Sequence, residues 1–140
     1  MNIEKLIIVC GVDTYEMNRF AAQKLFDQYT IFKNQNLILK FPENNKHPFH
    51  IKDDLDKWLN ANTNSIIITH SEFVFTYLRR LVAEEAINFL NLEIYWIEPI
   101  NNEAQKLTIN KHGFMDNWPG GMFDSSVMES HKILSLAIKK

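Results

Sequence analysis

The pattern of hydrophobic and polar positions changes period several times along this chain. Residues 5–10, KLIIVC, form a continuous apolar run that ends at Gly11, which is typical of a strand buried on both faces. From Asp13 or Thr14 to about Tyr29, apolar residues recur at three- and four-residue spacing and predict a helix with one apolar stripe. The stripe consists of Met17, Phe20, Ala21, Leu25, Phe26 and Tyr29.

Residues 36–41, NLILKF, and 65–69, SIIIT, are two further apolar runs and predict two further strands. A short helix between them is marked on one side by Ile51, Leu55, Trp58 and Leu59. A long helix from about residue 72 to 86 follows the second run. Its predicted inward positions are Val74, Tyr77, Leu78, Leu81 and Val82.

Strict alternation appears in residues 92–98, LEIYWIE, which therefore predict a strand with two different faces. One face carries Leu92, Ile94 and Trp96, and the other carries Glu93, Tyr95 and Ile97. With residues 106–110, KLTIN, this strand resembles a hairpin at the edge of a sheet. A helix from about Ser125 to the C-terminus completes the order β-α-β-α-β-α-β-β-α.

Strands that alternate with helices favour an α/β fold with a mainly parallel sheet and helices on both faces. The hairpin adds an antiparallel edge to that sheet. The chain has 140 residues and no internal repeat or linker, so we expect a single compact domain over residues 1–140.

Composition narrows the functional classes. The formal net charge is −2, which disfavours a protein that binds nucleic-acid backbones. Cys10 is the single cysteine, so no intramolecular disulfide forms. Neither a signal peptide nor an apolar stretch of about 20 residues is present, so we expect a cytoplasmic protein that does not enter a membrane.

Candidate chemistry begins where the third predicted strand ends, at Thr69, His70 and Ser71. Ligands of parallel α/β sheets bind at the carboxyl ends of the strands. His70 there could hydrogen-bond a phosphate oxygen or a water, and Ser71 could cap the next helix. The plainer alternative is that His70 is a polar residue of a strand-to-helix turn.

The longer segment IIITHSEFVFTYLRRLVAEE resembles the switch-histidine region of ABC-type ATPases, particularly the bacterial group related to RecF and the phage-exclusion OLD proteins. Residues 37–59 resemble their Walker B region, and residues 92–98 and 113–124 resemble their closing strand and C-terminal ending. The resemblance covers residues 36–125 and implies a P-loop-like three-layer core. It also implies a nucleotide site at Gly11, Lys40, Glu43, Thr69, His70 and Ser71.

Two departures argue against ATP hydrolysis. Lys40 stands where the resemblance implies an acidic magnesium ligand, and an ammonium repels a hard cation. Counted from Gly11, a phosphate loop would need Gly, Lys and Ser or Thr where Glu16, Met17 and Asn18 stand. Glu43 remains where a water-activating glutamate is expected, but it would lack its metal.

Two other side-chain groups have simpler alternatives. His47 and His50, with Asp53 and Asp54 nearby, could bind a metal, but solvated loop residues explain them better, and we expect no metal site. Cys10 and His70 could form a nucleophile–base pair, although a buried inert thiol is the favoured interpretation of Cys10.

The remaining candidates are apolar surface residues. The loop that contains Trp118, Pro119, Met122 and Phe123 either packs on the core or forms an interaction surface. Phe73, Phe75 and Tyr77 cannot all be buried on one helix face, so one of them is available to a partner.

These observations favour a non-catalytic, ATPase-like binding or structural protein that requires no cofactor. Its predicted partner is another protein or a second copy. Its candidate roles are a phage-encoded virion component and an inhibitor of an ABC-type ATPase. The alternative is an ATPase or phosphohydrolase that uses Glu43 and His70, with ATP and magnesium and an atypical phosphate loop.

Overall fold

The fold is described from a computed structural model, in which residues 3–31, 37–40, 48–61, 64–119, 122 and 125–138 are described. The regular elements follow the predicted order. They are β1 (Lys5–Gly11), α1 (Thr14–Ile31), β2 (Leu37–Lys40), α2 (Pro48–Ala61), β3 (Asn64–Thr69), α3 (Glu72–Ala83), a 3₁₀ turn (Phe89–Asn91), β4 (Leu92–Ile97), β5 (Ala104–Leu107) and α4 (Ser125–Ile138).

These five strands form one mixed sheet in the order β2-β3-β1-β4-β5. The first four are parallel, and β5 pairs antiparallel with β4. The mainly parallel α/β sheet with an antiparallel edge hairpin is therefore confirmed. β1 lies at the centre, and its residues from Leu6 to Gly11 are buried, as the continuous apolar run predicts.

Helices lie on both faces of the sheet. On one face, α1 contributes Met17 and Ala21 to a cluster with Ile7 and Val9 of β1. On the other face, the buried side chains of α2 and α3 pack against Leu6, Ile8 and Cys10 of the same strand. The members from those two helices are Ile51, Leu55, Leu59, Val74, Phe75, Tyr77, Leu78, Leu81 and Val82.

Within the predicted hairpin, β4 is the inner strand. It lies between β1 and β5, so β5 is the edge strand on that side. The predicted alternation is also confirmed, because Ile94 and Trp96 join the cluster under α2 and α3, whereas Tyr95 and Ile97 join the cluster under α1. Alternation reports two different faces, but it does not report whether a further strand is paired alongside.

The outer edge of β5 is covered by the segment that follows it. The side-chain amide of Asn117 donates to the carbonyl oxygen of Lys106 at 3.4 Å and accepts from the backbone N–H of Thr108 at 3.0 Å. Ile109 and Met115 form an isolated antiparallel bridge in the same segment. β5 itself spans residues 104–107, two residues earlier than the predicted start.

Two helices also differ from their predicted form. Phe26 is 73% exposed, so the apolar stripe of α1 does not extend to it, and the side chains of Leu25 and Tyr29 lie outside the described ones. α3 ends at Ala83, three residues earlier than predicted, where Glu84 caps it and Glu85 adopts a positive φ of 62°. None of the helices in the described parts of the chain is long and apolar enough to cross a membrane.

Candidate functional site

The carboxyl ends of β1 and β3 define the place where this sheet can hold a ligand. The two strands are neighbours, yet α1 follows β1 on one face and α3 follows β3 on the other. In open α/β sheets, such a divergence opens a crevice between the two strand ends, and ligands bind there. The predicted residues Gly11, Thr69, His70 and Ser71 all lie at this crevice.

The His70 imidazole bridges the crevice. Its Nδ1 lies 3.0 Å from the carbonyl oxygen of Gly11, and its Nε2 lies 3.0 Å from Oγ1 of Thr14 at the start of α1. Because a carbonyl oxygen only accepts, Nδ1 carries the proton, and the Thr14 hydroxyl donates to Nε2 when the ring is neutral. Both ring nitrogens are therefore hydrogen-bonded within the chain.

Thr69 and Ser71 shape the turn from β3 into α3. The buried Thr69 Oγ1 accepts from the backbone N–H of Ser71 at 2.9 Å, and Ser71 Oγ accepts from the N–H of Val74 at 3.2 Å. Ser71 is thus the N-cap that the sequence predicts. Asp13 caps α1 in the same way, with Oδ1 accepting from the N–H of Glu16 at 3.2 Å.

The connection from β1 to α1 contains only Val12 and Asp13. Glu16 and Met17, which stand at the positions of the expected phosphate-loop Gly and Lys, already belong to the helix. Met17 is fully buried under the sheet, and the Glu16 carboxylate is paired with Arg19 at 2.8 Å. A phosphate loop requires successive free backbone N–H groups around the anion, and two residues cannot supply them.

Gly11 is required by close packing. A Cβ at this position would lie 3.2 Å from both Cβ and the carbonyl oxygen of Ile97 and 3.2 Å from Cγ of Met17. The strand end therefore lies so close to β4 and α1 that a Cβ would require its neighbours to shift by a few tenths of an ångström. This close packing accounts for a glycine at position 11 without a bound nucleotide.

The Walker B-like residues are placed only in part. Lys40 is the last residue of β2 and is in register with Ile67 of β3, so its backbone lies at the same carboxyl edge as His70. Its side chain is not among the described ones, and Glu43 lies outside the described residues.

Cys10 does not pair with His70. Its side chain lies in the cluster under α2 and α3, where Sγ donates to the carbonyl oxygen of Tyr95 at 3.3 Å. Burial raises the pKa of the Cys10 thiol from its ordinary value of 9.0 to about 12. A thiol that is protonated at neutral pH and directed away from a base is a poor nucleophile, so the interpretation as an inert buried cysteine is confirmed.

The residues that were weighed as metal ligands, and for which we expect no metal, lie on α2 or outside the described residues. His50, Asp53 and Asp54 are exposed on the helix surface, and His47 falls in residues 41–47. Across the described ranges, no group of three or more His, Cys, Asp or Glu side chains has a geometry that could hold a metal ion.

The predicted interaction loop instead packs on α3. Trp118 donates from Nε1 to the carbonyl oxygen of Met122 at 2.9 Å. Its ring packs against the Phe75 ring in an edge-to-face arrangement, with 5.7 Å between the ring centres. Met122 is fully buried, which corrects its assignment to a surface, and Trp118 remains 42% exposed. Pro119 is half-buried, and Phe123 lies outside the described residues.

Arg79 holds this loop on α3. Its Nε donates to the carbonyl oxygen of Gly113 at 2.8 Å, and its guanidinium lies 5.3 Å from the Trp118 ring centre and 5.9 Å from that of Phe75. Burial lowers the pKa of Arg79. Gly113 has a φ of 81°, and a Cβ there would lie 2.6 Å from the carbonyl oxygen of Arg79.

One exposed surface was not found from the sequence. The segments 12–16, 70–73 and 98–103 follow β1, β3 and β4, and together they form what we call the carboxyl-edge surface. Its exposed large apolar side chains are Val12, Tyr15, Phe73 and Ile100. The spacing of Phe73, Phe75 and Tyr77 at the start of α3 predicted that one of the three would be exposed. The exposed residue is Phe73. The other apolar residues come from separate segments, so no sequence period joins them.

The chain was compared with protein-family models, curated proteins and solved structures. No protein-family model, no curated protein and no solved structure matches the chain.

Proposed function

We propose that this chain is a non-catalytic binding protein, built on an ATPase-like α/β sheet, that acts by binding a protein partner. The observation that carries the proposal is the internal hydrogen bonding of His70 to Gly11 and Thr14. The resemblance to ABC-type ATPases implies a histidine that contacts phosphate at this position. In this chain, the same imidazole instead joins two strand ends.

The composition of the segments around His70 also disfavours an anionic ligand. The three segments of the carboxyl-edge surface contain five acidic residues and no Lys or Arg, and only Glu16 among these acids is paired above with a basic side chain, that of Arg19. The acidic residues are Asp13, Glu16, Glu72, Glu98 and Glu103. The two-residue β1–α1 connection further argues against a phosphate loop at this edge.

Helices on both faces of the sheet are compatible with the P-loop-like three-layer core that the resemblance implies. The exposed apolar side chains at the carboxyl edge favour a macromolecular partner over a small nucleotide. Apolar patches of this kind are typical of protein-binding surfaces, where a few aromatic and aliphatic side chains supply most of the affinity.

Thermal unfolding with ATP–magnesium and GTP–magnesium tests the proposal. A nucleotide at about 100 times its Kd would stabilise the folded chain by about 2.7 kcal/mol and raise Tm by several degrees. We expect no saturable rise with either nucleotide. A saturable rise that His70→Ala or Glu43→Gln abolishes, with each variant compared with its own ligand-free Tm, would overturn the proposal in favour of the enzymatic alternative.

A further inference from the structure

The end of α3 and the turn that follows it border a small pocket with a volume of about 280 Å³. Two separate parts of the chain line it. Lys111 comes from the segment that follows β5, and the other lining residues are Val82, Glu85, Ile87, Asn88 and Phe89. The helix begins beside His70 and ends at Ala83, so this pocket lies at the opposite end of α3 from the carboxyl-edge surface.

The floor of the pocket is apolar. Val82 and Ile87 are buried, and both belong to the hydrophobic cluster under α2 and α3. Phe89 is half-buried and packs against the same cluster. A floor of this kind accepts a small aliphatic or aromatic group and removes it from water.

The rim of the pocket carries two opposite charges and one amide. Glu85 and Lys111 are exposed, and among the described residues neither side chain has an ion pair or a hydrogen bond. Asn88 Oδ1 accepts from the backbone N–H of Leu90 at 3.0 Å, which leaves the Nδ2 group as a donor. An anion, a cation and a neutral donor therefore surround one apolar floor.

The backbone holds Glu85 at the rim in a conformation that costs free energy. Its φ is 62°, in the left-handed region where glycine is the usual residue after a helix. Its N–H donates to the carbonyl oxygen of Val82 at 3.0 Å. The N–H groups of Ala86 and Ile87 both donate to the carbonyl oxygen of Leu81, at 2.9 and 3.2 Å. These bonds fix the turn beside the negative end of α3, where the helix dipole and the Glu85 carboxylate both favour a cation.

We propose that this pocket binds a free α-amino acid with an apolar side chain. The Glu85 carboxylate binds the ammonium group, and Lys111 and the Asn88 amide bind the carboxylate. The apolar side chain of the ligand lies on the buried floor. A ligand with one charge would pair with only one of the two charged rim groups, whereas an amino acid pairs with both through charge-assisted hydrogen bonds.

The size of the pocket agrees with this class of ligand. Pockets for drug-sized molecules span about 300–1,000 Å³, and this one is slightly smaller. The site goes beyond the proposed function and does not depend on it, because none of its residues belongs to the carboxyl-edge surface.

A titration of the ¹⁵N-labelled full chain with L-leucine and L-phenylalanine, followed by NMR, tests the proposal. We expect saturable shifts of the backbone amide signals of residues 82–89 and 110–113, with a Kd of about 1 mM, as suits so small a ligand. Isopentylamine lacks the carboxylate and 4-methylpentanoate lacks the ammonium group. Each should bind about tenfold more weakly than L-leucine.

Two variants assign the ends of the ligand. Glu85→Gln and Lys111→Met should each weaken L-leucine binding about tenfold. The Lys111→Met chain should bind isopentylamine at least as tightly as the wild type does, because that analogue has no carboxylate to lose. The matched controls are Glu103→Gln and Lys57→Met, whose side chains are exposed away from the pocket and should leave the Kd unchanged.

Three results would overturn the proposal. They are an absence of saturable shifts up to about 50 mM of either amino acid, shifts confined to other residues, and a Kd for L-leucine that Glu85→Gln and Lys111→Met leave unchanged. None of these results bears on the nucleotide titration, which tests the proposed function separately.

Discussion

Nδ1 of His70 lies 3.0 Å from the carbonyl oxygen of Gly11, one residue beyond the last backbone pair that joins β1 to β3. The register of these strands ends with Cys10 opposite Thr69. The imidazole therefore extends the connection between the two strands by one side-chain hydrogen bond. The same ring accepts from Thr14 and ties the start of α1 to the end of β3.

Removing this ring should lower stability measurably. His70→Ala deletes both hydrogen bonds, one of them to a part-buried carbonyl, and should reduce the free energy of unfolding by about 1–2 kcal/mol in urea titrations. Thr14→Val deletes only the bond to Nε2 and should cost less. His70→Asn presents an amide N–H near the position of Nδ1 and should recover part of the loss. A His70→Ala chain as stable as the wild type would contradict the bridging role.

The folded chain should lose stability at alkaline pH. Burial raises the pKa of Cys10 from 9.0 to about 12. The pKa values of Tyr77 and Tyr95 are also raised, mainly by burial and in addition by a neighbouring carboxylate, which is Asp56 for Tyr77 and Glu93 for Tyr95. The unfolded chain then releases these protons first, so the free energy of unfolding falls as pH rises above 9.0.

For Cys10 alone, the slope is about 1.4 kcal/mol per pH unit between its two pKa values. Urea titrations of Cys10→Ala across this range should show a shallower decline than those of the wild type. A thiol reagent should leave native Cys10 unmodified at neutral pH and react once the chain is unfolded. Rapid modification of the native protein would contradict the burial of Sγ.

Gly113→Ala should be the more damaging of two glycine substitutions. At Gly113, the positive φ and the 2.6 Å approach of the Arg79 carbonyl oxygen both oppose a side chain, for a loss of about 2–4 kcal/mol. Gly11→Ala brings a Cβ to 3.2 Å from three atoms of Ile97 and Met17, which is a wider approach than 2.6 Å, and Gly11 has no positive φ, so this substitution should cost less. Thermal unfolding of both variants would rank them, and the reverse order would contradict this account.

Arg79→Lys should loosen the loop on α3. Lysine keeps the charge but loses the planar contact with Trp118 and Phe75 and the Nε–H that reaches Gly113, so we expect a loss of about 1–2 kcal/mol. Hydrogen exchange at residues 108–118 should accelerate while exchange in β1 stays slow. The matched control is Arg80→Lys, whose side chain is exposed and paired with Glu84. Equal hydrogen-exchange rates at residues 108–118 in the two variants would contradict the proposal that Arg79 holds the loop on α3.

Local sequence patterns predicted the helices and strands whose own side chains are apolar enough to require burial. The apolar runs of β1 and β3 and the helical spacing of Ile51, Leu55 and Leu59 each reflect burial that the segment's own residues require. The element order and the mainly parallel sheet followed from them. The N-cap at Ser71 was also visible in the sequence, because capping chemistry is local.

Features that depend on distant segments were missed or misplaced. The hairpin was placed at an edge, but the strand that it joins could not be named, because the alternation of β4 does not report its pairing with β1. Met122 was named for a candidate interaction surface because its burial depends on packing against residues of the core that are distant in sequence. The bonds of His70 to Gly11 and Thr14 cross 59 and 56 residues, so only the folded chain reveals that this imidazole is engaged.

The side-chain amide of Asn117 on the outer side of β5 has a consequence for behaviour at high concentration. An edge strand with free backbone groups is a template on which other chains add strands and form insoluble fibres. Here Asn117 occupies the carbonyl oxygen of Lys106, and the lysine side chain places a charge on the same short strand. Strand addition by another chain at this edge is therefore opposed at Lys106, where the backbone acceptor is already occupied and a charged side chain stands beside it.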